Sequence, residues 1–332
     1  MPRISLNDSD IGFDCKSDDT ILRAALRAGL GMSYSCNVGS CGNCRFELVE
    51  GDVTHLRVDS PAYTDKDRKR NRWLGCQAVP GGDCTIKFRQ DPGAVALHPP
   101  LKREGTLLSR RMLNHDIGEF EIRVDGDPTF LPGQYALLGV EGVEGQRVYS
   151  MCNLPEGDIW RFQIKRVPGG AATTKLFESM QPGDRITVDG PYGQAHLRED
   201  SARDIVLLAG GSGLSPMVSI ARGALQSEAH PDRKVYFFFG GRGPRDIEAA
   251  AFLQEITDPR FHYIGAISDA AQADGWTGAQ GFIHEVAEAQ LGEALKEAEI
   301  YFAGPPAMAA AIGQSMAARG VAPAQIHFDE FY

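Results

Sequence analysis

The cysteines carry the clearest chemical pattern in this chain. The segment Ser35-Cys-Asn-Val-Gly-Ser-Cys-Gly-Asn-Cys-Arg45 has the spacing C-x4-C-x2-C, and 31 residues separate Cys44 from Cys76 in Trp-Leu-Gly-Cys-Gln. Thiolates at Cys36, Cys41, Cys44 and Cys76 suit a [2Fe–2S] cluster, which takes four of them on two irons. The loop must wrap closely around the inorganic sulfides and aim N–H groups at them, and Gly39 and Gly42 permit such a backbone. A structural zinc site is the competing reading. Such sites usually offer two paired knuckles, whereas here a single C-x2-C is followed by a solitary cysteine. Cys15, Cys84 and Cys152 have no such spacing and read as small buried apolar residues.

A second pattern begins at Ile205-Val-Leu-Leu-Ala-Gly-Gly-Ser-Gly-Leu-Ser-Pro216, an apolar strand, a glycine-rich turn and a helix start. It is not G-x-G-x-x-G. Its position after a strand and before a helix is nevertheless the context in which Gly210, Gly211 and Gly213 can cradle phosphate. Further on, Lys66-Asp-Arg-Lys-Arg-Asn-Arg72 precedes Cys76. Such a charge run is usually a solvated face, and its sharper reading is a docking patch for an acidic partner.

Three sections of different character must position these groups. Up to residue 91, strand-like stretches (Arg3–Leu6, Arg45–Glu50, Thr85–Arg89) flank one helical stretch, Thr20–Ala28, with caps offered by Asp18, Asp19 and Thr20 and a stop at Gly29. Residues 92–102, rich in proline, read as a linker. From 103 to 198, short strands such as Glu119–Val124, Gln134–Val140, Trp160–Val167 and Arg185–Val188 suggest an antiparallel barrel. From 204 to 332, strands Ile205–Ala209, Val235–Phe239, Tyr263–Ile267 and Glu299–Phe302 alternate with helical stretches, including Met217–Leu225 and Ala307–Ala318. That alternation predicts a parallel sheet with nucleotide chemistry at its carboxyl edge. The net charge of −10 argues against nucleic acid as a partner. Acidic and basic residues balance up to Asp91, so the excess lies beyond it. No apolar run approaches membrane-spanning length and no secretory signal is evident, so a cytoplasmic protein with reduced thiols is expected.

Four further segments, Pro132-Gly-Gln-Tyr135, Arg147-Val-Tyr-Ser150, Lys165-Arg-Val-Pro-Gly-Gly170 and Gly190-Pro-Tyr-Gly193, occur in an order that resembles the ferredoxin–NAD(P)H reductase superfamily. The resemblance is to its form with a fused plant-type ferredoxin domain, as in the NADH-dependent reductases of aromatic and alkene oxygenases. It implies a multidomain chain: a β-grasp (α+β) ferredoxin domain over 1–91, an antiparallel β-barrel flavin domain over 103–198 and an α/β nucleotide domain over 204–332. It implies that Arg147 pairs with the FAD pyrophosphate, that Tyr149 packs on the flavin, and that Ser150 hydrogen-bonds near N5. Tyr135 and Lys165 stand in the same flavin-contacting segments. A guanidinium suits a pyrophosphate, and Gly169 and Gly170, placed before the helical stretch Ala171–Met180, present amides to phosphate, with Thr173 adding a hydroxyl. By the same resemblance the glycine turn binds the nicotinamide nucleotide, and Gly304 and Pro305 flank the nicotinamide, with Ala303 where the family usually has cysteine. A terminal aromatic, Phe331 or Tyr332, would shield the flavin face. Asp246 in Gly240-Gly-Arg-Gly-Pro-Arg-Asp246 would repel a 2′-phosphate, although Arg242 and Arg245 would attract one, and the resemblance tips the choice to NADH.

These modules imply that electrons enter as a hydride from NADH, divide at FAD and leave singly from the cluster. No oxygen-activating site is legible, so a separate acceptor is expected: an oxygenase component of di-iron or Rieske type, met directly or through a ferredoxin. A deoxysugar dehydratase is the alternative acceptor, and a non-enzymatic metal-binding protein with a degenerate reductase fold is the alternative class. A monomer is expected.

Overall fold

The computed structural model describes residues 1–329. It comprises two compact units. The first contains residues Met1–Lys102, with Asp189–Gln194 and Asp329, and the second contains Arg103–Val188 and Ala195–Phe328.

In the first unit the strands are β1 (Arg3–Leu6), β2 (Gly12–Asp14), β3 (Arg45–Glu50), β4 (Val53–His55), β5 (Arg72–Leu74), β6 (Ala78–Pro80) and β7 (Cys84–Lys87). Helix α1 (Ile21–Arg27) lies between β2 and β3, and the short α2 (Asp65–Lys69) precedes β5. The sheet order is β2-β1-β7-β3-β5, with β1 and β7 parallel, while β4 and β6 form a separate pair. Alternation along β3 buries Phe46 and Leu48, and helical spacing on α1 buries Ile21, Leu22, Ala25 and Leu26. Thr20 holds the N-cap position of α1 without a side-chain capping bond, and Gly29, at φ +78°, follows its end. Residues 92–102, expected as a linker, carry a single helical turn at Pro92–Ala94 with Ala94 buried, and the next strand begins within them.

The second unit opens with most of a six-stranded sheet of β8 (Leu101–Met112), β9 (Ile117–Val124), β10 (Tyr135–Gly139), β11 (Arg147–Ser150), β12 (Ile159–Lys165) and β13 (Arg185–Tyr192) in the order β11-β10-β13-β8-β9-β12, the first two residues of β8 and the last four of β13 being counted with the first unit. A Met151–Phe162 bridge joins the two edges and nearly closes the barrel. Inward residues such as Phe120, Ile122, Trp160 and Phe162 fill it. The helical stretch expected over Ala171–Met180 is one α-turn, α3 (Ala171–Thr174), continued by a wider π-turn over Lys175–Ser179.

The remaining lobe has β14 (Ile205–Gly210), α4 (Leu214–Gln226), β15 (Val235–Gly241), α5 (Pro244–Ile247), β16 (Phe261–Ile267), β17 (Ala279–Gln280), α6 (Ile283–Leu291), β18 (Glu299–Ala303), α7 (Pro306–Ala318) and β19 (Ile326–His327). All its strands are parallel, in the order β17-β16-β15-β14-β18-β19. Buried clusters lie on both faces, and the one that includes α4 also takes in Ile117 and Cys152 of the barrel. The strand order reverses between β14 and β18, which opens a crevice at their carboxyl ends.

Candidate functional site

The cysteine loop is built for sulfur. Asn37, Gly39 and Gly42 all have positive φ, at +55°, +85° and +80°. A Cβ on Gly39 would stand 2.8 Å from Ser60 Oγ, and one on Gly42 would stand 2.2 Å from Arg45 Nη1. The resulting curl aims the backbone N–H groups of Val38, Ser40 and Cys41 at Cys36 Sγ, at 3.4, 3.3 and 3.4 Å. Cys76 N–H donates to Cys44 Sγ at 3.5 Å. Cys36, Cys44 and Cys76 are buried and Cys41 is half-buried.

The thiols fall into two pairs, Cys36 with Cys41 and Cys44 with Cys76, each within hydrogen-bond reach. The Cys41 bond, helped by the loop amides, holds Cys36 far below an ordinary thiol and raises Cys41 in turn. The bond to Cys44, reinforced by burial, pushes Cys76 well up. Two thiols per iron is the donor set of a binuclear cluster. The two pairs of thiols therefore fit [2Fe–2S].

Supports that sequence reading missed surround this loop. Buried Arg23 of α1 donates through Nε to Asn37 Oδ1 at 3.2 Å. Arg45 donates to Gly42 O at 2.7 Å, to Ala62 O at 2.6 Å and to Asp67 Oδ1 at 3.0 Å. Burial raises the Cys15, Cys84 and Cys152 thiols, so all three remain neutral, as expected.

On the barrel, β11 pairs with β10 so that Ser150 faces Tyr135, Tyr149 faces Ala136 and Arg147 faces Leu138. Arg147 is exposed on this edge strand, while Tyr149 packs against the barrel core and Tyr135 is buried. An exposed guanidinium beside a half-buried aromatic is the pairing that a dinucleotide flavin requires. Gly169 has φ +72° and, with Gly170, precedes α3. Thr173 differs from expectation. Its buried hydroxyl closes the turn, accepting from Val167 N at 3.2 Å and lying 3.2 Å from both Val167 O and Gly170 O. It therefore shapes the glycine turn from behind. The segment Gly190–Gly193, read with the flavin motifs, lies in the first unit, where Tyr34 Oη accepts from Gly193 N at 3.0 Å and Arg27 Nη2 donates to the buried Asp189 at 2.6 Å.

The nicotinamide pattern sits at the strand-order reversal. A Cβ on Gly213 would fall 1.9 Å from Ala303 O, so the turn after β14 rests directly on the end of β18. Met308 Sδ would lie 2.6 Å from a Cβ on Gly210 and 2.7 Å from one on Gly304, so this methionine packs both turns together. Lys165 pairs with Asp116 at 3.1 Å and passes beside Gly211, bringing the barrel to the same turn. Ser215, quoted in the sequence without a role, donates to Ser150 O at 2.6 Å and accepts from Gln163 N at 3.1 Å. Ser219 donates to Asn153 O at 2.8 Å and Arg222 to Cys152 O at 2.9 Å, so α4 is tied three times to the end of β11 and the residues just after it. Gly304 is half-buried and Pro305 exposed beside it. The Asp246 carboxylate accepts from Arg242 N at 2.8 Å and from Gly243 N at 3.4 Å, which fixes it at the end of β15. Phe331 and Tyr332 lie outside the described residues.

A paired-thiol loop, a barrel with an arginine–tyrosine edge strand and a parallel sheet with a glycine turn at its crevice define an iron–sulfur flavoprotein of the nicotinamide-linked kind. Family models agree. The 2Fe-2S iron-sulfur cluster binding domain matches residues 4–81, the oxidoreductase FAD-binding domain 104–197 and the oxidoreductase NAD-binding domain 207–314. The chain is 39% identical to ferredoxin–NAD(P)(+) reductase CarAd of Metapseudomonas resinovorans, with 96% of each covered. It is 38% identical to the ferredoxin–NAD(+) reductase component of the alkene monooxygenase system of Xanthobacter autotrophicus, over 98% of this chain and 99% of that one. The solved ferredoxin reductase in carbazole 1,9a-dioxygenase superposes with a TM-score of 0.91 at 35% identity, covering 100% of this chain and 98% of that one. The chain belongs to the family of ferredoxin–NAD(P)+ reductases with a fused [2Fe–2S] domain, and is an electron-transfer oxidoreductase using a [2Fe–2S] cluster, FAD and a nicotinamide nucleotide. No described helix is long and apolar enough to cross a membrane.

Proposed function

We propose that this chain is the NADH-dependent reductase of a multicomponent oxygenase acting on aromatic or alkene substrates. It passes electrons to the oxygenase component directly or through a small ferredoxin. The grouping of four thiols as two pairs, in a chain that also bears FAD and NAD domains, carries the reading. The relatives serve both an alkene monooxygenase and a carbazole dioxygenase, so either type of acceptor is compatible with the chain.

When bound, FAD supplies the conversion between the hydride chemistry of nicotinamide and the one-electron chemistry of the cluster. Arg147 binds its pyrophosphate, the amides of Gly169 and Gly170 meet phosphate, and Tyr149 and Tyr135 wall the ring system. Ser150, half-buried at the end of β11, offers its hydroxyl to N5. Gly210, Gly211 and Gly213 hold the nicotinamide nucleotide with Lys165 alongside, and Gly304 and Pro305 border its reactive end. The fixed Asp246 carboxylate disfavours an added 2′-phosphate, which selects NADH. Cys36, Cys41, Cys44 and Cys76 hold the cluster. The working limits are 1–91, 103–198 and 204–332 with a joining segment 92–102, in a monomeric cytoplasmic protein.

The purified protein should be yellow-brown and contain about two irons with two labile sulfides per chain. NADH should bleach both flavin and cluster bands, with kcat/KM for NADH above that for NADPH by roughly tenfold or more. A colourless zinc protein, or cluster bands that NADH leaves unchanged, would overturn the proposal.

A further inference from the structure

We infer that the loop Leu56–Tyr63 and helix α2 together form the surface on which the electron acceptor docks, and that the acceptor meets it with an acidic face. This rests on the reading of the cluster as the electron outlet.

The surface is continuous with the cluster loop. Ala62 N donates to Gly39 O at 3.1 Å, and Ser60 packs where a Gly39 Cβ would be. Arg45 joins Gly42 O, Ala62 O and Asp67 in one clamp. The clamp also sorts charge. On α2 the Asp67 carboxylate is turned inward, capped on Thr64 and paired with Arg45, while Lys66, Arg68 and Lys69, with Arg70 just beyond, are exposed, as is Asp65, which pairs with Arg68. Arg68 lies over the Tyr63 ring at 4.6 Å, linking the cations to the loop. The loop presents Leu56 and Val58 at 62% and 77% exposure. An apolar centre beside a rim in which exposed Arg57, Lys66, Arg68, Lys69 and Arg70 outnumber exposed Asp59 and Asp65 is the anatomy of a transient protein interface. The whole chain carries a net charge of −10, so a cationic face beside the cluster is a local exception to the chain's composition. Its complement is an acidic protein surface that brings a one-electron acceptor to the half-buried Cys41 edge.

The test uses the full-length holoprotein and two haem proteins of opposite charge, acidic cytochrome b5 and basic cytochrome c. The variants are K66E/K69E and L56S/V58S. The readouts are kcat/KM against ionic strength, retention on immobilised cytochrome b5, and bleaching of the cluster bands by NADH. For the unaltered chain, kcat/KM toward cytochrome b5 should fall steeply with added salt. K66E/K69E should lower it by about tenfold or more at low salt, flatten the salt dependence and weaken retention, while improving the reaction with cytochrome c. L56S/V58S should raise KM for cytochrome b5 without altering the salt slope. Bleaching by NADH should be the same in all three proteins. Unchanged cytochrome b5 kinetics and retention in both variants, with bleaching intact, would overturn the docking surface and leave the electron path standing. Failure of NADH to bleach the cluster in the unaltered chain would overturn the path itself. Unchanged cytochrome b5 kinetics would also overturn the docking surface if K66E/K69E abolished binding to phosphatidylserine vesicles or self-association of the chain. The patch would then belong to a lipid surface or to a second copy.

Discussion

Gly213 is set by contact with Ala303 O, where no side chain fits. Gly213→Ala should push the turn off the end of β18 and weaken NADH binding by roughly tenfold or more, about 1.4 kcal/mol. Titration of flavin fluorescence would read that loss, with FAD content unchanged. His196 carries a different kind of prediction. Burial, and then the Arg198 guanidinium, hold its imidazole at about 4 against an ordinary value of 6.5. As pH falls, the unfolded chain takes up this proton first, so stability is complete above 6.5 and is lost progressively toward 4. Denaturant melts at pH 7.5 and 5 should show a smaller acid loss for His196→Gln than for the unaltered chain. At this scale the sequence was legible where residue type is itself a constraint, as with the four cysteines and the glycines. Thr173 and Ser215 were not legible, because a hydroxyl declares its partner only when distant segments meet.

Helix α4 and strand β11 are coupled through Ser215, whose hydroxyl spans Ser150 O and Gln163 N. The proposed hydride acceptor lies against β11 and the donor lies on the turn before α4, so this clasp sets their separation. Ser215→Ala removes one net hydrogen bond of about 1 kcal/mol, and stopped-flow flavin reduction by NADH should slow roughly fivefold with little change in NADH affinity. Ser215→Thr should retain most of the rate. Strands with clean alternation, such as β3 and β9, and the apolar runs β14, β15 and β18 were readable from their periods. Strand β8 was not, because Leu-Lys-Arg-Glu-Gly-Thr-Leu-Leu-Ser-Arg-Arg-Met buries few side chains and its charges hide the period. The π-turn after α3 escaped because helical spacing does not distinguish it from an ordinary helix.

Across the whole chain, the flavin barrel and the nucleotide lobe share a core through Ile117 and Cys152, whereas the cysteine loop belongs to a unit of its own. Cys76→Ser should therefore abolish the cluster bands and the iron content, yet leave FAD bound and NADH oxidation by ferricyanide near the unaltered rate. Loss of both activities together would contradict that independence. The order of three modules was readable from composition and motif order, and the charge imbalance beyond Asp91 foreshadowed a change of module. Membership of Asp189–Gln194 in the first unit was not, since nothing local in Asp-Gly-Pro-Tyr-Gly-Gln announces Tyr34 and Arg27 as its neighbours. The Arg45 clamp bears on anyone who would retarget this reductase to a foreign oxygenase. Lys66, Lys69 and Arg70 can be repainted freely, but Asp67 is common property of the recognition helix and the metal loop. A redesign that exchanges all of α2 as a cassette would import a new partner preference and a loosened cluster together, unless its third helical position remains an acid.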